Sequence, residues 1–287
     1  MTAKLLPLVP KHLQYCEPFF GGGSLFFAKA PCPHETINDL DEAVMGFFSV
    51  LRDHSEEFIR LCNLTPYHEG EWKRCRAEWA AEADPVRRAW MWFVVARQSF
   101  SGYFGSSQSH TRTNTRRGRA GNVNSWQIAV ERLPQAVARL KDTQILCGDW
   151  QRAMECTDTP DCFHYLDPPY AHAMRTNQGP DGTPAEGYLH ELSDGDHDRL
   201  VAYLLSGEVR GRVMLSGYAS PAYVPLEAAG WQRVDWQTSC HAAGRTRLTG
   251  ILGAGAAMER QRRVESVWLC PRTAAVGHLP LALAWEE

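Results

Sequence analysis

Phe163-His164-Tyr165-Leu166-Asp167-Pro168-Pro169-Tyr170 is a short, aromatic, β-prone run broken off by an acid and two prolines. It reads as a buried strand that stops abruptly at Asp167. In an open α/β sheet, ligands sit at the carboxyl ends of the strands. Two prolines lack N–H groups and fix their own φ, so the segment is stiff and presents carbonyl oxygens without competing donors. One carboxylate and one aromatic face stand beside them. That set suits a planar ring bearing an exocyclic amine. The Asp167 and Pro168 oxygens would accept the two amine hydrogens and free the conjugated lone pair, while Tyr170 stacks on the ring. A strand-ending Asp in a Pro turn over a core Tyr needs the same residues, so a second signal has to decide.

That signal is Tyr15-Cys16-Glu17-Pro18-Phe19-Phe20-Gly21-Gly22-Gly23-Ser24. A strand end, a glycine turn and an apolar helix start let backbone approach a ligand closely. The spacing is not that of a dinucleotide fingerprint, and no P-loop lysine follows. Glu-Pro-Phe-x-Gly-x-Gly followed at long distance by Asp-Pro-Pro-Tyr resembles the S-adenosylmethionine-dependent adenine-N6 DNA methyltransferases of the Dam-like, D12 class. The region around residues 36–41 and 64–67 is similar to phage and prophage members. The likeness runs with gaps from about residue 5 to 271.

The resemblance implies an α/β fold: a Rossmann-like class I methyltransferase sheet with helices on both faces and an inserted helical DNA-recognition lobe. Residues 1–54 and 141–287 would form the catalytic domain that binds S-adenosylmethionine, and residues 55–140 the lobe. By the same resemblance the methyl donor lies over Glu17, Pro18, Phe19, Gly21 and Gly23. Asp39 ends the second strand, where such folds hydrogen-bond ribose hydroxyls, and Asp41 caps the helix that follows. Asp149 and Trp150 take the place of the acid-aromatic pair that grips the donor's adenine, although an N-cap beside a core Trp also suits them. Asp167, Pro168, Pro169 and Tyr170 are the catalytic set, acting on an adenine flipped out of the duplex. The family carries an aromatic-Gly-Gly-Lys segment ahead of residues 5–12, which read as a helix end. Thr2-Ala3-Lys4 stands there instead, so a weaker hold on the donor is expected.

Composition fits this reading without proving it. The chain has 287 residues, 44% hydrophobic and 22% charged, an ordinary globular balance. There is no transmembrane run, and the start is too short and Pro-broken for a signal peptide, so a cytoplasmic protein without a membrane partner, monomer or weak dimer, is expected. Nine scattered cysteines show no zinc spacing, and neither a metal nor a covalent nucleophile is expected. Pro31-Cys32 falls just after the glycine turn, where cytosine-C5 methyltransferases do not place their nucleophile.

A net charge of −3 gives no global signature of a nucleic-acid binder, so contact with double-stranded DNA must come from a local patch. Residues 98–125 read as the longest aperiodic loop, rich in Gly, Ser, Thr, Asn and Arg. Arg112, Arg116, Arg117 and Arg119 suit phosphates, and Asn114 and Asn122, with Gln108 and Asn124, suit adenine edges. A solvated loop has the same composition. Arg175, in the turn-rich loop after Tyr170, is a further backbone contact. Trp72, Trp79, Trp90 and Trp92 read mostly as the core of the lobe, with room for one base-stacking ring. A single helix is expected over residues 126–140. Cytosine-N4 methylation and a DNA-binding relative without catalysis remain alternatives.

Overall fold

The computed structural model describes residues 1–100, 104–169, 192–239 and 262–275. In chain order these form α1 (Thr2–Leu5), β1 (Gln14–Glu17), α2 (Ser24–Ala28), β2 (His34–Asp39), α3 (Glu42–Asp53), α4 (Ser55–Leu64), α5 (Glu69–Glu78) and α6 (Pro85–Gln98). Then come β3 (Thr115–Arg116), β4 (Arg119–Ala120), α7 (Gly121–Glu131), α8 (Leu133–Leu140), β5 (Thr143–Cys147), α9 (Trp150–Thr157) and β6 (Cys162–Leu166). The chain closes with α10 (Asp194–Leu205), β7 (Arg212–Tyr218), α11 (Val224–Ala228), β8 (Gln232–Ser239), β9 (Arg262–Leu269) and α12 (Pro271–Ala274).

Seven strands follow the order β5-β2-β1-β6-β7-β9-β8. The pairs β2–β5, β1–β6 and β6–β7 are parallel, and β9 runs antiparallel to both β7 and β8. This is a mixed, mostly parallel α/β sheet of the kind expected from the sequence. The chain divides into two compact units.

The first unit joins Met1–Thr2 to Phe20–Ala153. Its centre is an aromatic cluster in which Phe47 of α3 stacks on Phe93 of α6 at 5.2 Å, with Phe58 of α4 edge-on to both. Trp72, Trp90 and Trp126 are buried there. The indole N–H of Trp90 donates to the Thr65 hydroxyl at 2.8 Å and that of Trp126 to the Thr65 carbonyl at 3.1 Å, so the polar edges of two core rings are satisfied at the end of α4. Trp79 and Trp92 stay half-buried against Phe104. The expected helix over residues 126–140 is two helices broken at Arg132, because Pro134 in the first turn of α8 cannot continue α7.

The second unit joins Ala3–Phe19 to Met154–Glu287. Every residue of β6 is buried, as befits a strand flanked on both sides: Tyr15 and Phe163 are register partners in β1 and β6, and Leu166 pairs with Leu215 of β7. Among the described residues, β1 and β6 thus lie side by side in parallel, and each runs out at an acid, Glu17 and Asp167.

Candidate functional site

In the second unit, Glu17 ends β1 and is only 2% exposed. The phenol of Tyr15 donates to a Glu17 carboxylate oxygen at 2.7 Å. Residues two apart on a strand share a face, which is what brings them together. Burial and the neighbouring carboxylate both push the Tyr15 pKa up, so it remains a donor. Pro18 is buried and Phe19 half-buried.

The glycine loop opens the first unit. Gly21 and Gly23 have positive φ, 48° and 61°, a region closed to most other residues. A Cβ on Gly23 would lie 2.4 Å from the Phe20 ring, whereas Gly21 and Gly22 are exposed and a Cβ there would meet nothing within 4 Å. The Gly21 N–H donates to Asp39 Oδ2 at 2.8 Å, and the Asp41 N–H to Asp39 Oδ1 at 3.0 Å. Asp41 in turn caps α3 by accepting from the Ala43 and Val44 amides. Asp41 caps as expected, and Asp39 ties the strand end to the loop. Desolvation raises the Asp39 pKa against the pull of those amides.

The same unit sews β2 to the turn after β5. The Asn38 side chain donates to the Gly148 carbonyl at 2.9 Å, and the Gly148 N–H to the Asp39 carbonyl at 3.0 Å. Asp149 Oδ1 accepts from the Gln151 amide at 2.9 Å, so this acid caps α9, and Trp150 is buried. The glycine loop's open backbone, the Asp39 carboxylate and the Asp149 side chain, which is exposed, are polar groups of the kind S-adenosylmethionine presents partners for. The residues present therefore fit that donor.

Asp167 follows β6 in the second unit. Its side chain touches solvent, yet surrounding protein desolvates the carboxyl enough to lift its pKa to about 6, with the Glu265 carboxylate adding to the rise and a hydrogen bond from Tyr165 opposing it. The Tyr165 phenol also meets the Ser216 hydroxyl at 3.0 Å on β7. Tyr165 stands two residues before Asp167 as Tyr15 stands two before Glu17. Sequence reading missed both phenols, although the repeated Tyr-x-acid at two strand ends was there to find. Pro168 is buried and Pro169 half-buried. Tyr170 and Arg175 lie outside the described residues.

In the first unit the expected loop is, in part, a two-stranded hairpin. Thr115 pairs with Ala120 and Arg116 with Arg119. Arg117 and Gly118 turn the corner at φ 49° and 72°, the backbone of a type I′ turn. Arg112, Asn114, Arg116, Arg117 and Arg119 are all exposed, and Arg117 approaches Glu131 at 3.8 Å. Asn122 is half-buried, and its amide donates to the Ser109 carbonyl, bracing the segment from beneath. Gln108 and Asn124 are buried, Gln108 paired with Gln98 at 2.8 Å, so both serve the interior of the first unit.

Cys32 sits 3.6 Å from a Glu35 carboxylate oxygen, and burial lifts its thiol to about 11, which does not suit a nucleophile. No group of three or more His, Cys, Asp or Glu side chains among the described residues is placed to hold a metal, and no described helix is long and apolar enough to cross a membrane.

The family described as D12 class N6 adenine-specific DNA methyltransferase matches residues 2–192. The type II methyltransferase M1.LlaDCHI of Lactococcus lactis subsp. cremoris is 28% identical over 234 residues, 76% of this chain and 78% of that protein. The type II methyltransferase M.MjaIII of Methanocaldococcus jannaschii is 25% identical over 230 residues, 72% of this chain and 76% of the relative.

Proposed function

The chain belongs to the D12 class of N6 adenine-specific DNA methyltransferases, an enzyme family that takes DNA as substrate and S-adenosylmethionine as methyl donor, and from that premise we propose which residues do the work. Asp167 and the Pro168 carbonyl accept the two hydrogens of the target N6 amine and direct its lone pair outward. When bound, the donor supplies an electrophilic methyl group to that lone pair. Asp167, with a pKa near 6, is ionised at neutral pH and is poised to take the proton that the methylated amine must shed. Tyr170 stacks on the ring. The adenine reaches this set only by leaving the duplex stack.

Glu17, Pro18, Phe19, Gly21 and Gly23 lie along the donor, Asp39 keeps carboxylate lone pairs beyond its two amides for the ribose hydroxyls, and Asp149 and Trp150 take the donor's adenine. The direct transfer we propose has no metal step.

Residues 55–140 form the target-recognition lobe. The observation that supports this is the hairpin: Arg116 and Arg119 stand directly opposite each other, an arrangement that costs stability unless a polyanion lies over it. Arg112, Asn114, Arg117 and Asn122 lie close to that pair in the chain, and with Arg175 they are the further DNA contacts of this reading. As in type II methyltransferases, the product would be a modified recognition site, in a cytoplasmic enzyme acting as a monomer or weak dimer.

The carrying observation for catalysis is an acid at a strand end, held by Tyr165 and followed by a donor-free Pro-Pro. Transfer of labelled methyl to unmethylated DNA, then digestion to nucleosides, tests it. N6-methyladenine that vanishes in Asp167→Ala is expected. N6-methyladenine that persists in the variant would overturn the assignment of Asp167.

A further inference from the structure

The Asp-Pro-Pro segment has an anchoring problem. Neither proline offers an N–H, so neither residue can be fixed through its own backbone donor. Apart from the Asp167 N–H, a polar hold on the segment must come from outside donors reaching its carbonyls or its carboxylate. Tyr165 supplies one, to the carboxylate. The second unit contains another donor pair, which the function described above does not use.

His197 on α10 is 4% exposed and Tyr223, just before α11, 3%. The Tyr223 phenol and His197 Nδ1 are 2.8 Å apart, with the rings edge to face at 5.7 Å. The far side of Tyr223 is closed by Trp268, ring centroids 4.8 Å apart, and by Gly217, where a Cβ would come within 3.0 Å of the phenol ring. The phenol is therefore wedged in one position. His197 Nε2 is buried and makes no hydrogen bond among the described residues; the Pro169 carbonyl lies near enough to the imidazole for its pull on a ring proton to offset part of the burial that lowers the His197 pKa. Active-site hydrogen bonds that are long or poorly aligned in a free enzyme tighten when substrate is bound.

We propose that His197 and Tyr223 are a positioning pair for the catalytic segment: Tyr223 donates to Nδ1, fixing the proton on Nε2, and Nε2–H holds the Pro169 carbonyl so that Asp167 and the Pro168 carbonyl point at the target amine. Burial keeps the imidazole neutral, which this tautomer requires. Burial, with the Asp167 charge adding to it, disfavours phenolate and keeps Tyr223 a donor. Neither residue touches substrate; both act through residues 167–169.

The inference rests on the catalytic role given to Asp167, and the test separates the two. Steady-state methyl transfer is measured with DNA and donor each varied, on His197→Leu, His197→Gln, Tyr223→Phe and Asp167→Asn, with thermal melting of each. A glutamine amide can place an N–H near the Nε2 position, whereas leucine fills volume without a donor. The expected result is a drop in kcat of about tenfold to a hundredfold in His197→Leu, with donor KM unchanged and substantial recovery in His197→Gln. Tyr223→Phe should fall in the same direction, and adding His197→Leu to it should cost less than in the wild type. If Asp167→Asn is inactive while His197→Leu and Tyr223→Phe keep wild-type kcat, the positioning role is wrong. If Asp167→Asn is itself active, the reading beneath it fails instead. A kcat loss that glutamine does not restore, matched by an equal loss of melting temperature, would make the pair structural only. Should His197→Leu not fold, Tyr223→Phe against His197→Gln decides by the same criteria.

Discussion

Gly21 and Asp39 are joined by an N–H···O bond of 2.8 Å across eighteen residues of chain, so the glycine loop and the second strand end form one rigid edge. Gly22, between two glycines of positive φ, is exposed and has open space where a Cβ would stand. Gly22→Ala should therefore fold with an unchanged melting temperature and bind S-adenosylmethionine at least tenfold more weakly by calorimetry. Gly23→Ala, driven into the Phe20 ring at a positive φ, should lower the melting temperature. Equal donor affinity in Gly22→Ala would remove the loop from the donor site.

Removing the tie itself is the companion experiment. Asp39→Ala deletes the acceptor of two backbone amides and should raise the donor's dissociation constant by tenfold or more, about 1.4 kcal/mol per decade. Affinity for DNA, measured by anisotropy without donor, should not change.

The raised pKa of Asp167 carries a sign for both activity and stability. Activity needs the carboxylate, so kcat/KM should fall about tenfold per pH unit below about 6. Glu265→Gln takes away one cause of the rise and should move that break to lower pH; a break left in place would deny Glu265 the role. For stability, the fold holds the Asp167 proton more tightly than the unfolded chain does, so this group's contribution is full below its ordinary value of 3.8 and is lost as pH rises through about 6. Asp167→Asn, inactive, should melt higher than wild type at pH 8, and the gap should close near pH 4.

Each hairpin arginine that meets a phosphate should show in the salt dependence of binding. Arg116→Ala or Arg119→Ala should weaken DNA binding across all sequences and reduce the slope of log K against log salt by about 1. A change confined to one recognition sequence would mean base readout instead.

Glu35 is buried between two cations, Lys29 at 2.5 Å and Arg139 at 2.5 Å, the guanidinium lying 4.6 Å from the Phe26 ring centre. Glu35→Gln strands both charges and should cost about 3–5 kcal/mol in urea unfolding. A loss under 1 kcal/mol would show that water rescues them.

Much of this architecture is legible from local pattern. Asp167 and the acid of β2 announce themselves because an aromatic or β-branched run ends at a carboxylate, and the bounds of α10 follow from Ser193, which caps it with Asp196 in a reciprocal box. The break between α7 and α8 was readable in Pro134. The hairpin was not, because its turn begins with Arg117, which departs from the usual Asn, Asp or Gly at a positive-φ turn position. Tyr165 with Ser216, and His197 with Tyr223, lie beyond sequence reading for another reason: their partners are 51 and 26 residues apart, and only the tertiary fold brings them together.

The second unit is built from two distant pieces of chain, for β1 pairs with β6, Gln14 against Cys162. On a ribosome adding about 5–20 residues each second, β1 emerges roughly 7–30 s before its neighbour exists. Over that interval a strand whose native place is buried waits with its β6 edge open, while nearly all of the first unit is already available to fold. Synthesis speed between these two strands is thus a determinant of yield, and slow codons placed there would lengthen the exposure of β1 to aggregation.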